Sequence, residues 1–308
     1  MQTVTRILVT GASGFIGRAL IAAFAPRGNV LRAAVRRPPQ PPFPDGVEVI
    51  QHPDLAQPID WRQLLDGVGQ VIHLAGIAHV GNAVAPELYD RVNRLATAQL
   101  AAAAAAAGVG HLVFVSSIRA QSGPAADHVL TERDRAAPTD AYGCSKLAAE
   151  AAVRAAGVSF TILRPVLLYG SGVKGNFALL TRAAASRLPL PVKDFDNRRS
   201  LLGLDNFISA LAFVLATPAT IGETYIVADP GMPPSLAAVL AALRAAKGHR
   251  PLIWPLPKRF IEIPLRMMGR ADIWDRLGGN LQAEAGKLIA AGWRPPHDTL
   301  TGLAAMVR

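Results

Sequence analysis

Residues Thr10-Gly11-Ala12-Ser13-Gly14-Phe15-Ile16-Gly17 decide how this chain is read. The apolar run Arg6-Ile7-Leu8-Val9 precedes them and Arg18-Ala19-Leu20-Ile21-Ala22-Ala23-Phe24 follows, so three glycines stand between a strand and a helix. That is the setting of a dinucleotide-binding turn, in which each glycine has a task. Gly11 permits the tight turn, Gly14 lets the backbone approach a pyrophosphate, and Gly17 lets helix and strand pack closely. The helix start at Phe15 and Ile16 offers unpaired N–H groups and partial positive charge to phosphate oxygens. A glycine turn that binds nothing is the bland competitor, and the strand–turn–helix context argues against it.

Outward from this turn, short apolar segments alternate with helical ones. Strands are expected at residues 7–10, 30–35, 47–51, 71–75, 112–116 and 160–164, with helices near 16–24, 89–107 and 141–155. Continuous apolar strands separated by helices mean a parallel sheet covered on both faces. The expected fold class is therefore α/β, a Rossmann-type doubly wound parallel sheet with a smaller C-terminal substrate-binding domain. Residues 1–165 form the dinucleotide-binding domain and 166–308 mainly the second. A helix at 205–217 and a strand at 223–227 are expected to return residues 205–228 to the sheet.

Composition bounds the function. The 308 residues are 51% hydrophobic with a mean hydropathy of +0.26, which excludes a mainly disordered chain. Much of that apolarity is alanine, a helix former, and no apolar stretch reaches the ~20 residues of a spanning helix. No membrane partner is expected. The chain enters its first strand at once, so no signal peptide is expected and the cytoplasm is the default setting. Cys144 is the single cysteine, which rules out an internal disulfide and a cysteine zinc cluster, and no metal is expected. The net charge of +10 invites a nucleic-acid reading. The arginines are scattered and aromatics are only 6%, so a solvated basic surface accounts for most of the excess and no nucleic-acid partner is expected.

Tyr142-Gly143-Cys144-Ser145-Lys146 places a tyrosine and a lysine four residues apart, on one face of a helix. Deprotonating a tyrosine at pH 7 costs about 4 kcal/mol. One cation about 4 Å away supplies a similar amount at an effective dielectric of 20. Lys146 can thus make Tyr142 a workable general base. Taken alone, an amphipathic helix with a routine exposed lysine would be the better reading. It is not alone: Val113-Phe114-Val115-Ser116-Ser117 is a buried strand ending in hydroxyls at the sheet edge where ligands bind. Ser117 is positioned to bond a substrate oxygen, with Ser116 the competing choice, packed or facing the cofactor.

With Gly11, Gly14, Gly17, Ser117, Tyr142 and Lys146 in order and spacing, the chain resembles the extended short-chain dehydrogenase/reductase family, also called the NAD-dependent epimerase/dehydratase family. Further matches are Asp54-Leu55, His73-Leu74-Ala75-Gly76, Asn93, Leu163-Arg164-Pro165, Asn176, Arg198-Arg199-Ser200 and Gly292-Trp293-Arg294-Pro295. The resemblance implies hydride transfer at C4 of a nucleotide sugar, with NAD or NADP as cofactor and a UDP-sugar as substrate. Tyr142 would exchange the hydroxyl proton, Ser117 polarise the oxygen, and Lys146 hold the nicotinamide ribose. Asp54 would bond the adenine amino group and Asn93 brace the site, while Leu55, Leu74, Ala75 and Gly76 line the cofactor. Asn176 and Arg198 resemble diphosphate or uridine contacts and Arg276 a further one; a surface arginine is the plainer reading of Arg276. His73 is read as a packing residue, and His79 sits in a loop that could face the sugar. A homodimer through the helix bearing Tyr142 is the family's habit; burial of the alanines at 89–107 and 141–155 explains them equally well.

Three departures narrow the subclass. The family's 4,6-dehydratases carry an Asp-Glu pair after the active-site hydroxyl residue, whereas Ser117 is followed by Ile118-Arg119-Ala120. The second strand ends Ala34-Val35-Arg36-Arg37 without the acidic residue that holds the ribose of NAD, and Arg36 favours the 2′-phosphate of NADP. Arg164 precedes Pro165-Val166-Leu167-Leu168-Tyr169-Gly170, which resembles a subgroup linked to bacterial polysaccharide synthesis. The reading tilts to reduction of a UDP-4-keto-6-deoxy-N-acetylhexosamine. UDP-glucose or UDP-N-acetylglucosamine 4-epimerisation stands as a near equal. A non-catalytic cofactor-sensing regulator is the remote reading, since it should lack the tyrosine or lysine.

Overall fold

The computed structural model describes residues 5–78, 84–173, 176–186, 188–269, 274 and 278–307. The alternation of the first half becomes β1 (Arg6–Thr10), α1 (Phe15–Phe24), β2 (Val30–Val35), β3 (Glu48–Gln51), α2 (Trp61–Leu65) and β4 (Val68–His73). Next come α3 (Pro86–Tyr89), a π-helical turn at Asp90–Leu95 and α4 (Ala96–Ala106). β5 (His111–Val115), β6 (Val129–Leu130), α5 (Ala141–Ala155) and β7 (Phe160–Pro165) follow. Beyond them are β8 (Leu167–Tyr169), α6 (Asn176–Ala185), β9 (Leu201–Gly203), α7 (Leu204–Ala216) and β10 (Thr224–Val227). The chain continues through α8 (Leu236–Ala246), α9 (Arg259–Met267), β11 (Gln282–Ala283), α10 (Gly286–Ala290) and α11 (Thr299–Val307).

Seven strands form one sheet in the order β10-β7-β5-β4-β1-β2-β3. The run from β7 to β3 is parallel throughout, the doubly wound arrangement whose carboxyl edge receives ligands. β4 begins three residues before the expected strand because Val68 pairs with Arg6 across a register shift. The helix expected at 89–107 is not one helix. Pro86 starts it earlier, where a missing N–H costs nothing, and the π turn around Asn93 interrupts it.

Two compact units divide the chain. The first is Met1–Gln121, Arg135–Arg164 and Ile208–Tyr225; the second is Ser122–Asp134, Pro165–Phe207 and Ile226–Arg308. The expected division at 165, with 205–228 returning, does not place Ser122–Asp134 in the second unit. Ser122–Asp134 belongs to the second unit because β6 pairs in parallel with β11 and the Ala126 N–H donates to the Asn280 carbonyl at 2.8 Å. The return to the first unit is shorter than 205–228, spanning Ile208–Tyr225.

In the first unit, Leu8, Val71, Leu112, Phe114 and Ile162 of the strands pack with Leu100, Ala101 and Ala104 of α4 and Ala149 and Val153 of α5. These alanines are fully buried, so the small side chains let α4 and α5 lie close against their neighbours. The second unit has its own core, in which Tyr169, Phe177, Leu201, Leu240, Leu243 and Leu303 meet. No helix among the described residues is long and apolar enough to cross a membrane.

Candidate active site

β1 ends at the buried Thr10 and the chain turns through Gly11, whose φ of 68° lies in the left-handed region. A Cβ on Gly11 would come within 2.8 Å of the Ala75 nitrogen, and one on Gly17 within 2.6 Å of the Ala12 Cα. Both positions therefore demand glycine for the turn to sit against β4 and α1. Gly14 is the N-cap of α1, with no side-chain bond to the helix start and no acidic residue in its first turn. Half-buried Phe15 and Ile16 follow it, so no N-cap side chain covers the opening N–H groups. Such a cradle fits the pyrophosphate of a dinucleotide.

Arg36 directly follows β2, and Asp54 lies three residues beyond β3. They form an ion pair of 2.9 Å, and both are substantially exposed. A backbone N–H from Ala56 and then the Arg36 guanidinium hold the Asp54 carboxyl below its usual range. Leu55 and Ala75 are buried near the ends of β3 and β4, with Leu74 half-buried and Gly76 exposed. Asn93 braces the segment after β4. Its Oδ1 accepts from the Ile77 N–H at 2.8 Å, and its Nδ2 donates to the Ile77 carbonyl and the Ser145 hydroxyl, both at 3.1 Å. The π turn presents this side chain to both partners.

Ser117, Tyr142 and Lys146 come together where β5 ends. Ser117 follows the strand in extended backbone, and its hydroxyl accepts from the Arg119 N–H at 3.2 Å. Tyr142 is the second residue of α5, whose N-cap, Asp140, accepts from the Gly143 N–H at 2.7 Å and also pairs with Arg119. Burial holds the Tyr142 phenol above the usual tyrosine range. A hydrogen bond with Ser117 pulls the other way, and Asp140 and Tyr89 add to the rise. Lys146, one turn on, is 6% exposed. Its Nζ donates to the Val115 carbonyl at 2.7 Å and lies 4.4 Å from the Phe114 ring centroid. Burial pushes it down to about 7, against the attraction of Glu150.

Ser116 is settled by its partner: its hydroxyl donates to Glu150 at 2.6 Å, so it faces inward and Ser117 is the residue beside Tyr142. Glu150 is fully buried and takes two bonds from Arg164, at 2.8 and 2.6 Å, while Arg164 also donates to Gln121. No role was foreseen for this network. Tyr142, Lys146 and Glu150 fall at every fourth position on α5, which is the signal that could have found it. His73 is a packing residue, held between the Thr10 and Thr97 hydroxyls at 2.7 and 2.9 Å and stacked on Phe114. Burial, with Lys146 second, pushes its pKa down to about 3, so the ring is neutral.

Ser117, Tyr142, Lys146, Asn93, Arg36, Asp54 and the glycine turn all lie in the first unit. Arg198 lies in the second, half-buried, with its guanidinium donating to the Pro233 carbonyl at 2.8 Å. Asn176 opens α6, and its side chain falls outside the described residues, as do His79 and Arg276. Among the described residues no cluster of His, Cys, Asp and Glu is arranged to hold a metal.

The profile of the NAD dependent epimerase/dehydratase family matches residues 7–228. A UDP-glucose 4-epimerase of Vibrio cholerae is 31% identical over 307 residues, covering 96% of this chain and 92% of its own length. A ceramide reductase of Caulobacter vibrioides is 34% identical over 213 residues, covering 69% of this chain and 61% of its own. The solved structure of MoeE5 in complex with UDP-glucose and NAD superposes with a TM-score of 0.78 at 25% identity, covering 98% and 97% of the two chains. With the glycine turn, the serine–tyrosine–lysine set and these likenesses in agreement, the chain belongs to the NAD dependent epimerase/dehydratase family.

Proposed function

We propose that this protein is an NAD(P)-dependent oxidoreductase acting at C4 of a UDP-sugar, in the direction of reduction of a UDP-4-keto-6-deoxy-N-acetylhexosamine. The observation that carries the reading is the presence, in one unit, of a phosphate-binding turn and the Ser117, Tyr142 and Lys146 constellation. The likeness to a UDP-glucose 4-epimerase and to MoeE5 with UDP-glucose and NAD supports the substrate class.

NAD(P), when bound, supplies or accepts hydride at its nicotinamide. The chain's own groups do the rest. Gly11, Gly14, Gly17 and the start of α1 take the pyrophosphate, Asp54 the adenine, and Leu55, Leu74, Ala75 and Gly76 line the cofactor's path. Ser117 donates a hydrogen bond to O4 and polarises the carbonyl. Tyr142 gives its proton to O4 as the carbonyl becomes a hydroxyl. Lys146 holds the ribose and lends positive charge as Tyr142 loses its proton. Burial keeps Tyr142 a phenol at rest, and a phenol is the proton donor that reduction requires. Ile118 and Arg119 stand where a dehydratase needs its acid pair, so water loss at C6 has no proton source there. Asn176, Arg198, Arg276 and His79 are assigned to the substrate.

Arg36 suits the 2′-phosphate of NADP, though Asp54 shares its charge, so either cofactor is accommodated. A cytoplasmic homodimer goes with this reading. The second reading, 4-epimerisation of UDP-glucose or its N-acetyl form, is favoured by the near full-length likeness to the Vibrio cholerae enzyme. Absorbance at 340 nm separates the two. Reduction consumes NADPH or NADH in proportion to a UDP-4-keto-6-deoxy-N-acetylhexosamine. Interconversion of UDP-glucose and UDP-galactose with no net cofactor consumption means epimerisation, and neither result overturns the assignment to C4.

A further inference from the structure

Helix α9 turns an apolar face outward. Phe260, Ile263 and Met267 are 58%, 53% and 83% exposed and fall on one side of the helix at spacings of three and four. Met268, just beyond its end, is 66% exposed. Among the described side chains of α9, Glu262 and Leu265 are half-buried. An apolar stripe of α9 is thus left outside, where a helix of a globular protein ordinarily buries its apolar side chains. Trp254, in the run leading into α9, is 65% exposed as well. Outward-facing aromatic and aliphatic side chains in one helix and its approach are a marker of an interaction surface.

Cations border this face. Lys258 and Arg259 stand at the start of α9 and Arg266 near its end. The Arg259 guanidinium lies 5.3 Å from the Phe260 ring centroid, while Lys258 pairs with Asp196 and Arg266 with Glu262 at 2.8 Å. Between positions 247 and 276 the sequence carries seven Lys and Arg against three Asp and Glu. An apolar stripe flanked by cations is complementary to an anionic lipid surface.

We propose that α9 docks this protein on an anionic bilayer, lying in the plane of the membrane. Phe260, Ile263 and Met267 enter the boundary between headgroups and acyl chains, and Arg259 and Arg266 reach sideways to lipid phosphates. The helix has nine residues, against about 20 needed to span, so the contact is peripheral. That departs from the sequence expectation of no membrane partner, which rested on the lack of a spanning segment. A second copy of this chain is a poorer occupant. Symmetric pairing of this face would bring the same arginines together across a two-fold axis. The few apolar side chains also fall far short of the roughly 20–30 residues a side of a stable interface.

The test uses the full-length protein sedimented with phosphatidylcholine vesicles, with and without phosphatidylglycerol. Sedimentation should require phosphatidylglycerol and weaken as salt rises. Met267→Asp should abolish it, Phe260→Leu should retain it, and Arg259→Gln and Arg266→Gln should each weaken it about fivefold. Light scattering and circular dichroism on the same samples report self-association and folding. The proposal is overturned if the protein ignores anionic vesicles or if folded Met267→Asp binds them as well as the parent. It is equally overturned if the parent dimerises without lipid and Met267→Asp alone is monomeric.

Discussion

Tyr142 occupies a position where two opposing influences are visible: burial holds the proton on, and the Ser117 hydrogen bond favours its release. Tyr142→Phe leaves the helix and the cofactor cradle intact, so turnover should fall by about 10²–10⁴-fold while NAD(P)H affinity, read by fluorescence titration, stays near that of the parent. Near-parental kcat would remove Tyr142 from proton transfer. Lys146 carries a linkage that can be measured without substrate. Its pKa is about 7 in the folded, cofactor-free chain against an ordinary 10.5. Between those values the unfolded chain binds more protons than the folded one, so this residue makes stability rise with pH across that window. In Lys146→Met the rise from pH 7 to pH 10 should flatten relative to the parent in urea titrations; parallel curves would contradict the assignment. Arg36→Ala should weaken NADPH about tenfold or more while changing NADH little, since a charge-assisted hydrogen bond to phosphate contributes about 1.5–3 kcal/mol. Equal losses for the two cofactors would detach Arg36 from the 2′-phosphate.

At the scale of elements, α5 does two jobs with one stripe. Tyr142 and Lys146 carry the proposed chemistry, and Glu150 locks the same helix to the end of β5 through Ser116 and to β7 through Arg164. Removing one partner of a buried pair strands the other, so Arg164→Met should cost about 3–5 kcal/mol. Arg154→Met, which removes a half-exposed cation 3.2 Å from the same carboxylate, should cost under about 1 kcal/mol. Thermal unfolding of the two variants checks the contrast, and similar losses would mean Glu150 is less sheltered than its burial indicates. The alternation of apolar strands with helices made the sheet readable from the sequence, and the glycine turn falls between β1 and α1 as expected. The serine and tyrosine–lysine motifs picked out residues that the structure brings together, Ser117 and Tyr142 being hydrogen-bonded. Glu150 was not, because a glutamate in an alanine-rich helix looks like a solvated charge until β5 and β7 close over it. Nor was the π turn at Asn93, since the phase shift that an extra residue makes in a helical stripe is hidden where alanine fills every side of the helix that follows. Ser122–Asp134 was assigned to the wrong unit because its short strand finds its partner, β11, some 150 residues downstream, and no local pattern reports such a pairing.

Across the whole molecule the glycine turn and Ser117, Tyr142 and Lys146 sit in a unit assembled from three chain segments, while Asn176 and Arg198 belong to a second unit with its own core. A net charge of +10 surrounds both. A UDP-sugar carries negative charge on its diphosphate, so the field should assist capture, and added salt should lower kcat/KM while leaving kcat nearly constant. A salt-independent kcat/KM would confine the excess charge to solubility. The central claim is that Ser117, Tyr142 and Lys146 direct hydride to and from C4 of a UDP-sugar. The most direct measurement supplies NADPH or NADH deuterated at the transferring nicotinamide position together with a UDP-4-keto-6-deoxy-N-acetylhexosamine, and locates the label in the product by NMR. Deuterium at C4 of a 4-hydroxy sugar, absent with Tyr142→Phe, is the predicted result; label at any other carbon, or its appearance at C4 undiminished in Tyr142→Phe, would contradict it.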